Sequence, residues 1–346
     1  PKGDTTTPFR GVYDGGGFII DAKNVPATSW QTVTDGSNTY AGLFGRIDSG
    51  TVKNMTLNNM TASVTESAGV VRAGAVAAQA EYGTFERITV NNVNLTATNT
   101  NGKLYMGGAL GDTYSCNVDN CTVSGSITGA TNTANEYSKI GGFLGGGSTC
   151  NMRNSTANVD VTDNSIKWVT AGGFAGELYG EYIVGNRCSG KINITQTAVG
   201  SISKFYVGGF IGKAEGSRNV RNNISSNVIT FGALYGTGSN YMVGGFAGYN
   251  ATPAANYSGN YYLGTVGANG YFADQVALRV TNMFPAIQVT DDAQIKRGAP
   301  INIANVVQTP NIWARGVQVS ADITANTGIT LDPAKIFVAA SKSATT

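Results

Sequence analysis

Short runs of alternating hydrophobic and polar residues recur along the chain and predict β-strands. Examples are MTLNNMTASV at residues 55–64, CTVSGSIT at 121–128 and SGKINIT at 189–195. Such alternation, combined with β-branched residues, is typical of strands that bury one face. No segment shows a helical hydrophobic period of adequate length, so the pattern predicts an all-β fold.

A five-residue, glycine-rich frame recurs seven times between these segments. The intervals between successive copies are 32, 34, 34, 31, 36 and 36 residues. A nearly fixed period of this length is typical of architectures in which one structural unit stacks on the next. The copies are AGLFG ending at Gly45, AGAVA ending at Ala77, GGALG ending at Gly111, GGFLG ending at Gly145, GGFAG ending at Gly176, GGFIG ending at Gly212 and GGFAG ending at Gly248.

A β-solenoid accounts for this frame better than a propeller or an array of sandwiches. A propeller blade needs four strands and usually more residues than one period supplies. In a solenoid, equivalent residues stack about 4.8 Å apart, so sharp turns and close backbone approaches favour glycine. The frame then predicts an internal apolar column of Leu43, Phe143, Phe174, Phe210 and Phe246. It also predicts a turn ladder of Asn54, Asn120, Asn154, Asn186 and Asn222.

The frame resembles the GLUG motif, a repeat of bacterial surface proteins, adhesins and the non-catalytic part of some immunoglobulin A-cleaving peptidases. The segment PFRGVYDGGGFIID, residues 8–21, is similar to the opening that commonly precedes such repeats. The resemblance implies an extracellular, right-handed parallel β-helix and implies no enzymatic activity. The second copy departs from the motif, because Ala75 and Ala77 replace the large apolar residue and the last glycine.

The repeats divide the chain into three predicted regions. Residues 1–39 form a lead-in coil or cap, residues 40–270 form seven solenoid repeats, and residues 271–346 form a C-terminal β segment without the frame. One lead-in coil and seven repeats give about eight coils. An open solenoid end exposes unpaired backbone, so we expect the C-terminal segment to act as a cap or as an assembly region.

The composition excludes several classes of function. The chain has no histidine, its charged residues are 13% of the total, and its net charge is +2. The lack of histidine removes Ser-His-Asp catalysis and zinc sites that need histidine. We predict no cofactor, no metal, no nucleic-acid partner and no membrane span, since there is no basic stripe and no apolar run of 18 residues.

Four cysteines fall within 73 residues, and none has the CxxC spacing of a zinc or redox site. In an exported protein they predict two disulfides. Cys116–Cys121 with Cys150–Cys188 is the favoured pairing, because it keeps both bonds within one coil or between neighbours. Stacking of Cys116 on Cys150 is the alternative.

Aromatic residues precede most of the glycine frames. If they point outward, they form a row that binds glycan rings through their faces; the alternative is a lid over the glycine turns. The candidates are Tyr105, Tyr137, Trp168, Tyr206 and Tyr241, and the lysines near them are Lys103, Lys139, Lys167 and Lys204.

The carboxylates are scattered, and one group of charges repeats from coil to coil. Asp119 and Arg153 occupy matching positions in neighbouring coils, and Arg221 matches again two coils later. This pattern fits either a solvated charge ladder or a polysaccharide lyase site.

Two hypotheses about function follow from these features. The first is a non-catalytic, extracellular cell-surface protein that self-associates into a layer, sheath or fibre, or attaches to a glycan or a host surface. The second is a carbohydrate-active β-helix enzyme similar to a polysaccharide lyase, which rests on analogy of fold alone.

Overall fold

The chain folds as a β-solenoid. The computed structural model describes residues 3, 6–35, 38–131, 137–165, 168–195, 204–216, 219–231, 241–251, 257–258, 260–262, 266–268, 279–280, 286–288, 317–318 and 337–338. Within these residues there are β-strands, one 3-10 turn at Ala27–Trp30 and no α-helix. The strands stack in parallel, which confirms the predicted fold class, but they form about six turns instead of eight coils.

Most of the strands are short. The first twelve are β1 (Val12–Asp14), β2 (Ile19–Asp21), β3 (Gln31–Asp35), β4 (Asn38–Ala41), β5 (Phe44–Asp48), β6 (Thr51–Asn58), β7 (Thr61–Glu66), β8 (Gly69–Gly74), β9 (Ala77–Glu81), β10 (Thr84–Asn99), β11 (Gly102–Gly107) and β12 (Leu110–Tyr114). The next twelve are β13 (Asn117–Asp119), β14 (Thr122–Thr131), β15 (Tyr137–Gly141), β16 (Leu144–Arg153), β17 (Thr156–Asp163), β18 (Trp168–Gly172), β19 (Ala175–Val184), β20 (Arg187–Ser189), β21 (Lys191–Ile194), β22 (Lys204–Gly208), β23 (Ile211–Ala214) and β24 (Asn219–Arg221). The last eleven are β25 (Ile224–Ser225), β26 (Val228–Phe231), β27 (Tyr241–Gly244), β28 (Ala247–Asn250), β29 (Tyr257–Ser258), β30 (Asn260–Tyr262), β31 (Val266–Ala268), β32 (Arg279–Val280), β33 (Ala286–Gln288), β34 (Val317–Gln318) and β35 (Phe337–Val338).

Each coil pairs with the equivalent strands of the next coil. The strand before the glycine frame belongs to a nine-stranded sheet that runs β3-β4-β8-β11-β15-β18-β22-β27-β32, and the strands after the frame belong to a second, 24-stranded sheet. The glycine frame is thus the corner between the two sheets. All pairings in the first sheet are parallel except β3 with β4.

The lead-in region departs from the regular coil, which accounts for part of the difference in the number of turns. Strands β1 and β2 both pair in parallel with β6, as part of a coil. Strand β3, in contrast, turns back on β4 as an antiparallel hairpin. The described residues of this region therefore supply only part of a coil.

Apolar side chains from both sheets fill the interior, and the predicted phenylalanine column is confirmed. Phe143, Phe174, Phe210 and Phe246 are buried and stack ring on ring. Their centroids are separated by 5.2, 4.9 and 4.9 Å, with interplanar angles of 18°, 2° and 7°. The prediction was wrong for Leu43, which is half-buried against the core: its backbone N–H donates to the carbonyl of Ala75, so it lies one position before the column.

The glycines of the frame are required because backbone segments approach closely at the corner. An ideal Cβ on Gly145 would lie 2.4 Å from the backbone nitrogen of Met106, and one on Gly172 would lie 2.0 Å from the carbonyl oxygen of Ala175. Real Cβ atoms do not tolerate such distances. Steric crowding, not an unusual φ angle, selects glycine at this corner.

The second copy of the frame lies one residue further along than predicted. Gly74 pairs with Gly107 and Ala77 pairs with Leu110, so the copy is GAVAA, residues 74–78. Val76 occupies the large apolar position, since its backbone N–H donates to the carbonyl of Ala109. The copy GAVAA is therefore closer to the motif than the predicted copy AGAVA.

The asparagine ladder is two ladders at adjacent positions, so the predicted single ladder is wrong in one member. Asn54, Asn120, Asn154 and Asn222 occupy a corner with φ between 51° and 57°. Asparagine tolerates this left-handed conformation better than most residues. Asn186 lies one position later and is buried.

Asn186 begins an internal amide ladder that the sequence did not predict. Its Nδ2 donates to Oδ1 of Asn223 at 3.1 Å, and Nδ2 of Asn223 donates to Oδ1 of Asn260 at 3.0 Å. All three side chains are fully buried. Their amides satisfy one another and the neighbouring backbone, as a buried polar group requires.

The two predicted disulfides are wrong, because all four cysteines are free and buried. Disulfides need the two Cβ atoms about 3.8 Å apart. Cys121 shares its column with Ser155, and Cys188 pairs in register with Ala157, so neither faces another cysteine. Cys116 and Cys150 do precede the paired residues Asn117 and Asn151, but both remain thiols.

Parallel pairing continues past residue 270, and the rest of the C-terminal segment falls mostly outside the described residues. Arg279 pairs with Met242, and Ala286 pairs with Asn260. Farther on, Val317 pairs with Val338 in a short antiparallel pair. The described residues include no helix with the length and apolar character needed to cross a bilayer.

Candidate ligand-binding face

The outer face of the nine-stranded sheet carries a row of cationic and aromatic side chains. Tyr137 pairs with Trp168, and Trp168 pairs with Lys204. Leu104 pairs with Ser138, and Lys103 and Tyr137 directly precede these two residues. Lys103 therefore occupies the same column as Tyr137. We call Lys103, Tyr137, Trp168 and Lys204 the Lys–aromatic row. All four side chains are partly exposed.

Contacts along the row hold these side chains together. The ammonium of Lys103 lies 5.3 Å from the Tyr137 ring, and that of Lys204 lies 4.1 Å from the Trp168 ring. The rings of Tyr137 and Trp168 are 5.4 Å apart. Cation–π contacts of this kind stabilise by about 0.5–1 kcal/mol when exposed, and so favour an ordered row.

A second set of side chains lines the glycine corner, beside the row. We call it the corner seam: Arg72, Tyr105, Lys139 and Tyr206 before the frame, and Asp112, Glu177, Lys213 and Tyr249 after it. Charges pair across the corner and between coils. Arg72 binds Asp112 at 3.0 Å, Lys139 binds Glu177 at 3.1 Å, and Lys213 lies 3.7 Å from Glu177.

Burial and charge compete in the seam. Burial raises the pKa of the Asp112 carboxyl, although the Arg72 guanidinium opposes the shift. Burial acts to lower the pKa of Lys213, but the carboxylates of Glu177 and Glu215 outweigh it and raise that pKa. Burial, followed by a hydrogen bond with Tyr137, raises the pKa of Tyr105. The charged side chains of the seam therefore form ion pairs.

The predicted aromatic candidates do not form a single row. Tyr137 and Trp168 belong to the Lys–aromatic row, whereas Tyr105 and Tyr206 belong to the seam. Tyr105 bridges the two, because its hydroxyl hydrogen-bonds to that of Tyr137. Tyr206 is only 8% exposed. Tyr241 pairs with Phe205, and its side chain lies outside the described residues, as does Lys167.

Tyr105 acts partly as the lid that the sequence offered as an alternative. A Cβ on Gly146 would lie 2.9 Å from the Tyr105 ring, so the ring covers that glycine. Tyr206 packs against Tyr249 with ring centroids 4.9 Å apart. Tyr105, Tyr137 and Trp168 are thus the candidates that are partly exposed, and only Tyr137 and Trp168 belong to the Lys–aromatic row.

Sequence reasoning missed the seam, although a usable signal was present. Every seam residue keeps a constant offset from the glycine frame. Asp112, Glu177 and Lys213 each follow the last glycine directly, and Tyr105 and Lys139 stand two residues before the first glycine. Trp168 and Tyr137 stand four residues before it, which would have placed them in a separate column.

The Asp119 and Arg153 ladder lies on another surface of the solenoid. The register pairs Glu86 with Asp119 and Asp119 with Arg153, while Arg153 connects through Val184 to Arg221. A shallow depression there is lined by Thr84, Phe85, Glu86, Asn117, Val118, Asp119, Asn151 and Arg153. In the described part of the chain, His, Cys, Asp and Glu side chains form no group of three that could hold a metal.

No family model, curated protein or solved structure shows a significant match to this chain. The GLUG assignment therefore rests on the glycine frame and its opening segment, and it stays a prediction.

Proposed function

We propose that this protein is a non-catalytic, extracellular structural or adhesive protein of the cell surface that self-associates through the N-terminal end of its solenoid. The observation that carries the proposal is the edge formed by β1 and β2. Each pairs with β6 on one side, and the described residues supply no paired strand on the other. An unpaired strand edge is a template for another chain.

Exposed apolar side chains mark the same edge. Val12, Phe18 and Ile19 are 67%, 81% and 63% exposed. Together with Val25 they make up four of the nine large hydrophobic residues that the described part of the chain exposes. Adjacent exposed apolar residues of this kind mark interaction sites. Strand addition at this edge would both pair the backbone and cover these side chains.

Substitution of one edge residue tests the association. We expect the wild-type protein to form larger species as its concentration rises, measured by light scattering and electron microscopy. Ile19→Lys should shift it toward the monomer, because a lysine on an edge strand disfavours pairing. Val228→Lys is the matched control, since Val228 is 39% exposed on a lateral strand. A wild type that stays monomeric at all concentrations contradicts the proposal.

The surface location has its own test. Antibodies against the folded protein should label intact, unpermeabilised cells, and labelling should not increase after permeabilisation. Labelling that requires permeabilisation would argue against an extracellular role.

The depression around Asp119 keeps a second candidate function open. Glu86, Asp119 and Arg153 come from three successive coils, so two carboxylates and one guanidinium lie at coil spacing. Retaining glycosidases use two carboxylates about 5 Å apart, which is close to the spacing of neighbouring coils. An enzyme acting here would release shortened products from polysaccharides, and Asp119→Asn would abolish that release. Absence of products with both neutral and acidic polysaccharides would eliminate this candidate.

A further inference from the structure

We propose that the Lys–aromatic row binds a uronate-containing polysaccharide that lies along the solenoid axis. The inference goes beyond self-association, because the row is on the lateral face and not at the β1–β2 edge. Either proposal can fail without the other.

The uncompensated charge of the row points to an anionic ligand. Lys139 and Lys213 in the seam are neutralised by Glu177 and Glu215. Lys103 and Lys204, in contrast, form no salt bridge with a carboxylate in the described part of the chain, and each contacts an aromatic ring instead. Two ammonium groups are therefore available to an anion, beside seam charges that the described residues pair with one another.

The spacing of the row suits a polymer with sparse charge. Lys103 and Lys204 are three coil steps apart, which is about 14 Å at the usual strand separation. Tyr137 and Trp168 fill the interval, so the row presents a cation, an apolar strip and a second cation. A uronate chain has carboxylates separated by sugar rings, whose apolar faces pack on such a strip. A densely sulfated chain would place more anions there than the row has cations.

The row is also preorganised for such a ligand. Ring contacts and cation–π contacts fix the four side chains before binding, which lowers the entropy cost of ordering them. The hydroxyl contact with Tyr105 further fixes Tyr137. A linear ligand thus meets a preformed surface instead of four mobile side chains.

Binding to polygalacturonate, measured by affinity electrophoresis and by tryptophan fluorescence, tests the proposal. We expect Lys103→Gln/Lys204→Gln to weaken binding about tenfold, the loss expected for two exposed ionic contacts. Lys23→Gln/Lys191→Gln is the control, because it removes the same charge from exposed positions off the row. Trp168→Phe should preserve most of the binding but remove the fluorescence change.

Neutral dextran and dextran sulfate distinguish the ligand chemistry. We expect no binding of dextran, and weaker binding of dextran sulfate than of polygalacturonate at equal ionic strength. The proposal is overturned if wild type does not bind polygalacturonate, or if both lysine pairs weaken binding equally. It is also overturned if dextran or dextran sulfate binds as tightly as polygalacturonate. Unchanged circular dichroism and melting temperature confirm that each variant is folded.

Discussion

At the residue scale, adjacent asparagines serve opposite purposes. Asn222 holds a left-handed corner with φ of 57°, whereas Asn223 is buried in the amide ladder. The Asn223 amide donates to the carbonyl of Ile183 at 2.8 Å and accepts the backbone N–H of Asn186 at 2.9 Å. One residue type thus meets a conformational demand at one position and a hydrogen-bonding demand at the next.

Replacing each of these asparagines separates the two demands. We expect Asn223→Ala to lower the free energy of unfolding by about 3 kcal/mol, because it leaves buried partners unsatisfied. Asn222→Gly should change it little, since glycine adopts positive φ readily. Urea denaturation measures both. Equal losses in the two variants would contradict the division of roles.

The buried carboxyl of Asp163 predicts an unusual dependence of stability on pH. Burial raises its pKa, although the Ser138 hydroxyl and the Ser165 side chain and backbone N–H donate hydrogen bonds that oppose the shift. The folded state therefore holds the proton to higher pH than the unfolded state. Its contribution to stability is complete below about pH 4, the unfolded pKa, and is lost as pH rises through the folded pKa.

Asp163→Asn should remove this dependence. An amide keeps the hydrogen-bonding shape without a charge to bury, so we expect the melting temperature at neutral pH to rise. The difference between variant and wild type should shrink as the pH falls toward about 4. A constant difference across that range would show that Asp163 does not titrate differently in the folded state.

At the scale of the element, the corner between the sheets depends on atoms that glycine lacks. We expect Gly145→Ala to cost about 1–3 kcal/mol, because the new methyl group collides with the backbone of Met106. Gly11→Ala is a fair control, since its Cβ would meet only the Phe9 ring, at 3.4 Å. Thermal unfolding compares them, and an unaffected Gly145→Ala would mean that the corner can open.

The stacked phenylalanine rings of the inner column allow a second test at the scale of the element. Phe210→Ala should cost about 3–5 kcal/mol, because the ring is fully buried between Phe174 and Phe246. Tyr179→Ala, at a side chain that is 50% exposed, should cost much less. Similar losses for both would place Phe210 outside the energetic core.

The sequence predicts those features that recur at a fixed offset from the frame. The period and the phenylalanines define the solenoid and its inner column, because every copy repeats the same packing requirement. The cysteines could not be treated this way. Counting coils places Cys116 and Cys121 in the same coil. Disulfide formation, however, also requires two cysteines at equivalent positions of neighbouring coils, and the residue equivalent to Cys121 in the next coil is Ser155. Which residues are equivalent between coils depends on the strand register, and the short polar corners make that register hard to read from the sequence.

At the scale of the whole molecule, all four thiols should resist modification in the folded protein. All four are buried and so are shielded from a reagent. Burial also raises the pKa of Cys121 to about 12, so its reactive thiolate is scarce at neutral pH. We expect no rapid reaction with a thiol reagent in native buffer and four equivalents in denaturant. Fewer than four in denaturant without reductant would reveal a disulfide and contradict the free cysteines.

The coil-by-coil pairing has a mechanical consequence. Each strand of the stack hydrogen-bonds to strands about one period away, so a coil is held only by its two neighbours. Under a pulling force applied at one end, such a chain should unfold sequentially, one coil at a time. Each released coil of about 34 residues would add roughly 110 Å of contour length. Single-molecule stretching should then show a series of small, equal increases in extension. A surface fibre built this way would dissipate an applied force in small increments.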